Sequence, residues 1–270
     1  MQGVALPPLI PHSAFRIPNS NKDLGARKGL RKSLFVERRN MKLHGLQKMT
    51  LLDFPGKVAC TVFLGGCDFR CPFCHNFELI DGTAAPIMDE EELLRFLRSR
   101  KGLLEGVAIT GGEPCLHKDL PDLIRAIRAE GYAVKLDTNG YHPAMLESIL
   151  KEGLVEYVAM DVKNSPQKYA LTCGMEQVNM GIIKKSISLL MHGGTDFEFR
   201  TTVIDELHEE ADFEDIGALI AGAPRYFLQR FTDRESVPYG NLSAPSFDKM
   251  HRCADVAKQF VENTQLRGVE

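Results

Sequence analysis

Three cysteines, Cys67, Cys71 and Cys74, stand at i, i+4 and i+7 within Cys67-Asp68-Phe69-Arg70-Cys71-Pro72-Phe73-Cys74-His75-Asn76. Thiolates spaced this way on a loop can wrap one centre. A zinc ion with His75 as fourth ligand is one reading, but structural zinc sites usually pair two short knuckles far apart in sequence. Here Cys60, Cys115, Cys173 and Cys253 are scattered singly, so no second knuckle exists. An iron–sulfur cluster normally takes four thiolates. Three leave one iron open to an exogenous ligand, and an open position serves catalysis rather than structure.

Such a loop works only if other elements bring partners to it. From residue 58 the chain alternates apolar runs with stretches of i, i+3, i+4 apolar spacing. The runs at 58–64, 107–110, 133–136, 157–160, 197–203 and 226–231 suit buried parallel strands. Helices are expected over 89–100, 120–130, 143–152, 178–192, 209–222 and 246–262. Asp89 ahead of Glu91 and Glu92 offers a cap, and Gly131 and Gly153 offer stops. Six strand–helix units in strict alternation predict an α/β protein with a parallel sheet and right-handed crossovers. The candidates are an open doubly wound sheet or a barrel, full or partial; a closed barrel needs eight units and six are visible.

In such folds the active site lies at the carboxyl ends of the strands. Just past successive strands stand Gly111-Gly112-Glu113, Asp137-Thr138-Asn139-Gly140 and Asp161-Val162-Lys163, with Arg200-Thr201-Thr202 inside the next strand and Gln229-Arg230 in the last. Asp-Thr-Asn-Gly alone is an ordinary turn, and a lone strand arginine is usually a salt-bridged edge residue. Polar groups at all five ends form a rim.

The chain has 270 residues, 44% apolar and 26% charged, so it can build a core. The net charge of −3 argues against a nucleic-acid binder, and no apolar window reaches the ~18 residues of a membrane span. Seven cysteines, an odd count, read as reduced thiols and a cytoplasmic setting rather than a disulfide framework. Residues 1–40 hold eight Lys and Arg against Asp23 and Glu37, a net of +6 that leaves −9 on the remainder. This head also holds four of the fourteen prolines and no sustained apolar period. It reads as a disordered basic extension, from an early start codon or as an organelle-targeting tail, with folded sequence opening at Met41. A secretory signal is excluded because no apolar h-region follows a charged start.

Cys-x3-Cys-x2-Cys resembles the cluster motif of the radical S-adenosylmethionine (SAM) enzymes, with Gly111-Gly112-Glu113 where that superfamily contacts the methionyl amino group. Leu52-Asp53-Phe54-Pro55-Gly56, Phe63-Leu64-Gly65-Gly66-Cys67, Cys71-Pro72-Phe73-Cys74-His75-Asn76 and Asp161-Val162-Lys163 together resemble the activating enzymes of glycyl radical enzymes. Phe199-Arg200-Thr201-Thr202-Val203, Leu228-Gln229-Arg230-Phe231 and Arg267-Gly268 are most similar to activating proteins of anaerobic ribonucleoside-triphosphate reductase. The likeness spans residues 41–270; Cys115 departs from it, standing where a small polar residue is more usual, and reads as a spare thiol.

The resemblance implies a radical SAM domain over 41–270, built as a partial (β/α)6 TIM-like barrel. It implies a [4Fe-4S] cluster on Cys67, Cys71 and Cys74 whose fourth iron chelates the amino and carboxylate groups of SAM. Glu113, with Gly111 and Gly112, is then expected at the amino group, and Lys163 and Arg200 at the carboxylate. Asp137 and Asp161 are expected at ribose hydroxyls or the ammonium, Phe73 and the His75 backbone at adenine, and Gln229 completes the cofactor set. No side-chain acid or base is expected beyond cluster and cofactor. The implied activity generates a glycyl radical on an anaerobic ribonucleotide reductase through a 5′-deoxyadenosyl radical, with a flavodoxin- or ferredoxin-type electron donor. Pyruvate formate-lyase or another glycyl radical enzyme is the alternative partner, and a small-molecule radical SAM enzyme or a non-catalytic metal protein the alternative class. Residues 75–110 contain no cysteine, so a ferredoxin-like insert is absent there.

Overall fold

The computed structural model describes residues 41–269, and the basic extension expected over 1–40 lies outside the described residues. The strands are β1 (Lys42–Leu43), β2 (Gly45–Thr50), β3 (Ala59–Leu64), β4 (Met88–Asp89), β5 (Gly106–Gly111), β6 (Ala133–Thr138), β7 (Tyr157–Asp161), β8 (Asp196–Val203), β9 (Tyr226–Arg230) and β10 (Thr264–Arg267). The helices are α1 (Phe77–Asp81), α2 (Glu90–Ser99), α3 (Leu120–Ala129), α4 (Pro143–Lys151), α5 (Tyr169–Thr172), α6 (Met180–His192), α7 (Asp212–Leu219) and α8 (Phe247–Lys258).

Eight strands form one sheet in the order β10-β9-β8-β7-β6-β5-β3-β2, and β1 pairs with β4 in a small separate ribbon. From β3 to β10 every neighbouring pair is parallel, and spatial order follows chain order without reversal. A doubly wound sheet reverses at a switch point. This one does not, so the sheet curls one way as a partial barrel whose edges, β2 and β10, stay unpaired with each other. The six expected strands and six expected helices are all present. Antiparallel β2, short β10, α1 and α5 add to them.

Residues two apart share a strand face. One face carries Val62, Leu64, Val107, Ile109, Val134, Leu136, Val158, Met160, Phe199 and Leu228, all fully buried against the helices in one continuous core. The opposite, inner face is polar. Toward the strand beginnings Tyr157 donates to Glu198 Oε2 at 2.9 Å, and Arg267 reaches both Glu198 oxygens at 3.0 and 3.1 Å. Phe54, from the Leu52–Gly56 segment, packs on Ala59 and Tyr157 beneath them. Asp89 and Glu92 form a reciprocal capping box that starts α2, and Ser246 caps α8. No helix among the described residues is long and apolar enough to cross a membrane.

Candidate functional site

The 67–76 loop leaves β3 and is tied down on four sides. Arg70 folds back so that Nη1 donates to Cys67 O at 2.6 Å and Phe69 O at 2.8 Å. Its backbone N–H donates to Cys173 O, just past α5. Asp68 Oδ2 meets His142 Nε2 at 2.6 Å, and the buried Phe69 ring lies 5.1 Å from Tyr141. His75 donates from Nε2 to Thr232 O at 2.7 Å while its ring stacks on Phe231. Asn76 donates to Gly111 O at 3.2 Å.

Gly111 and Gly112 let β5 approach this loop's root. A Cβ on Gly111 would sit 2.2 Å from Leu64 O, and one on Gly112 would sit 1.9 Å from Gly66 O. With nothing there, Gly112 N donates to Leu64 O and Glu113 N to Gly66 O, both at 2.8 Å. The requirement for glycine thus comes from the chain's own backbone.

A cavity of about 190 Å³ opens between the loop and the strand ends. It is lined by Cys67, Cys71, Cys74, Phe73, His75, Gly111, Gly112, Asp137, Asp161, Lys163 and Arg200, together with Thr138, Asn139 and Thr202. Eleven of the thirteen residues singled out in the sequence therefore meet at one place. A larger groove, about 470 Å³ between α4 and α6, carries none of them.

The two exceptions are Glu113 and Gln229. Glu113 is 0% exposed, and its carboxylate is taken up by the chain: Oε1 accepts from Cys115 N at 2.9 Å and Thr138 Oγ1 at 2.7 Å, and Oε2 accepts from Asn139 N at 2.6 Å. Burial raises its pKa, and these donors only partly offset that. Gln229 sits on β9 in register with Thr202 and Arg267 and is not among the lining residues; Thr202 lines the cavity instead.

One side of the cavity is a run of alternating charges. Lys135 pairs with Asp137, Asp137 Oδ2 accepts from Arg200 Nη1 at 3.2 Å, Asp161 Oδ1 accepts from Arg200 Nε at 2.9 Å, and Asp161 Oδ2 accepts from Lys163 Nζ at 2.8 Å. Lys135 lies behind the lining, and at the cavity itself Lys163 and Arg200 balance Asp137 and Asp161. Burial would raise the Asp161 pKa, but Arg200 and Lys163 outweigh it and hold the carboxyl well below the usual range. Burial likewise works against the Lys163 ammonium, and Asp161 outweighs it upward. Lys163 Nζ also stands 5.9 Å from the Phe73 ring centroid. Lys135, 2% exposed, joins the run without having been expected from the sequence, although its period-two spacing from Asp137 signals the shared face.

Burial pushes the Cys67 thiol up to about 12 and raises Cys74 as well. Cys71 moves down, first because the neighbouring Cys173 thiol donates to it and then, against burial, because Lys163 is near. Among the described residues no three His, Cys, Asp or Glu side chains close on a single ion. A zinc ion needs its sulfurs converging at ~2.3 Å. Three soft thiols spread around one cavity, with Lys163 and Arg200 in its lining, fit an iron–sulfur cluster and a co-ligand bearing a carboxylate.

The Radical SAM superfamily profile matches residues 61–221. A Methanocaldococcus jannaschii protein named as a glycyl-radical enzyme activating enzyme is 30% identical over 238 residues, covering 83% of this chain and 95% of that protein. The pyruvate formate-lyase-activating enzyme of Clostridium pasteurianum is 32% identical over 128 residues, covering 46% of this chain and 52% of its own. The crystal structure of Streptococcus suis SuiB superposes with a TM-score of 0.58 at 15% identity, over 77% of this chain and 48% of SuiB, a likeness of fold alone. With a matching profile, a relative aligned along nearly its whole length and a three-thiol loop facing a charged rim, the chain belongs to the radical SAM superfamily, among the glycyl-radical enzyme activating enzymes.

Proposed function

We propose that the chain installs a glycyl radical on an anaerobic ribonucleoside-triphosphate reductase. Membership of the superfamily implies SAM and an iron–sulfur cluster. The observation that carries the reading is the meeting of three thiols and a run of alternating ion pairs, with Lys163 and Arg200 as its cations, at one cavity. Cys67, Cys71 and Cys74 hold a [4Fe-4S] cluster. Lys163 and Arg200 are the cations that meet the methionyl carboxylate, and the Gly111–Gly112 backbone lines the cavity for the amino group. Asp137 and Asp161 keep the two cations in place and leave acceptor capacity for ribose. Phe73 and the His75 backbone face adenine, the imidazole being engaged with Thr232. Glu113 shapes the turn at Thr138–Asn139, and Gln229 takes no part. When bound, the cluster and SAM supply the one-electron reduction and the hydrogen-abstracting radical, with electrons from a flavodoxin- or ferredoxin-type donor.

The choice of reductase rests on the likeness of the 199–203, 228–231 and 267–268 segments to activating proteins of that enzyme. The likeness to a pyruvate formate-lyase-activating enzyme favours a second reading, with pyruvate formate-lyase or another glycyl radical enzyme as partner. Reduced protein, SAM and each candidate partner, mixed without oxygen, should yield a glycyl doublet by electron paramagnetic resonance only with the true partner. A doublet on pyruvate formate-lyase alone selects the second reading. Formation of 5′-deoxyadenosine with no doublet on any glycyl radical enzyme of the host would point to a small-molecule substrate.

A further inference from the structure

Asn139 stands at the end of β6 with its side-chain amide aimed at a cluster cysteine. Its Nδ2 lies 3.7 Å from Cys67 Sγ, within reach of an N–H···S hydrogen bond. The orientation of the amide is set by its other end, because Oδ1 accepts from Tyr141 N at 2.8 Å and so turns the NH2 toward the sulfur. The turn itself is pinned: Asn139 N donates to Glu113 Oε2, Thr138 Oγ1 donates to Glu113 Oε1, and Gly140 O accepts from Ser186 Oγ at 2.6 Å. Asn139 is only 6% exposed, so water competes little for the contact. Among the described residues Cys67 is the one cluster cysteine for which such a carboxamide contact is found.

We infer that Asn139 is a positioning residue that donates to the Cys67 thiolate and raises the reduction potential of the iron–sulfur cluster, with the buried Glu113 carboxylate holding it in place. This rests on the cluster reading proposed above. A hydrogen bond to a ligand sulfur draws off negative charge, and the reduced cluster carries more of it than the oxidised one. The bond therefore favours reduction. Glu113, directly behind the cavity lining, holds this turn in place through Thr138 and Asn139.

The test uses the full chain, loaded with iron and sulfide without oxygen, and measures the midpoint potential by spectroelectrochemical titration. Asn139→Leu removes the donor at similar size, and Asn139→Asp removes it while keeping the acceptor for Tyr141. Both should load iron as the unsubstituted chain does and shift the reduction equilibrium roughly tenfold toward the oxidised form, 59 mV for one electron. Wild-type potentials in both loaded variants would overturn the inference. So would loss of iron from both, since that assigns Asn139 to holding the cluster rather than tuning it. If the unsubstituted chain takes up no iron, the cluster reading itself has failed, an outcome distinct from either of these.

Discussion

At the scale of single residues, the site separates side chains that line the cavity from those that hold the lining in place. Cys67→Ala, Cys71→Ala and Cys74→Ala should each abolish cluster loading, measured as iron and sulfide per chain, while Cys115→Ala retains it. Cys115 is buried beside the Glu113 carboxylate and lines no part of the cavity. Glu113 belongs to the second group. Asked to act on SAM, its loss would weaken cofactor binding alone; placed as it is, Glu113→Gln sets an NH2 against one of three buried donors. Unfolding in urea should show a loss of about 2 kcal/mol, the cost of a buried group left without its partner. Arg200 belongs to both groups, since it lines the cavity and bridges Asp137 to Asp161. Arg200→Gln leaves Asp137 to Lys135 alone and Asp161 to Lys163 alone, and should cost about 2 kcal/mol of stability in the same assay.

At the scale of elements, the strands deliver chemistry on one face and stability on the other. Leu136 is fully buried in the core between Lys135 and Asp137, which face inward. Leu136→Ala should therefore lower stability by about 2–5 kcal/mol without changing the iron content of the protein that remains folded. The junction of β5 with the 67–76 loop behaves differently. Gly112→Ala drives a methyl group into Gly66 O, backbone against backbone, at the root of the loop. Neither side can yield without moving the cysteines, so this substitution should cost cluster loading along with stability, read as iron content of purified protein. The four ties from the loop to Cys173, His142, Thr232 and Gly111 show why the thiols hold their places before any metal enters.

At the scale of the whole molecule, one buried histidine makes the fold sensitive to acid. His208 accepts from Ile204 N at Nδ1 and donates from Nε2 to Lys163 O, so it is neutral and bridges the β8–α7 connection to the site. Burial lowers its pKa from 6.5 to about 4. The unfolded chain then binds the proton first as pH falls, so stability is complete above pH 6.5 and is lost between 6.5 and 4, by about 3 kcal/mol in all. Urea midpoints measured across that window should fall for the wild-type chain. His208→Gln should flatten the fall, and an unchanged slope in that variant would remove the histidine from the explanation.

Local order was legible from residue types alone. Thiols at i, i+4 and i+7, the alternation of apolar runs with helical periods, and a polar group past each strand are all set within a few residues of chain, where spacing dictates geometry. The elements missed were too short or too one-sided for a period to register: α5 has four residues, β10 has four, and β2 is a half-exposed edge. Tertiary structure decided the rest, because it depends on register between distant segments. Only the unreversed strand order separates a partial barrel from a doubly wound sheet. Arg200 finds Asp137 across 63 residues, and Asn139 finds Cys67 across 72. Tertiary packing likewise turned the Glu113 carboxylate into a buried turn, and it left Gln229 off the lining because β9 lies one strand beyond β8, whose Thr202 shares Gln229's face and does line the cavity.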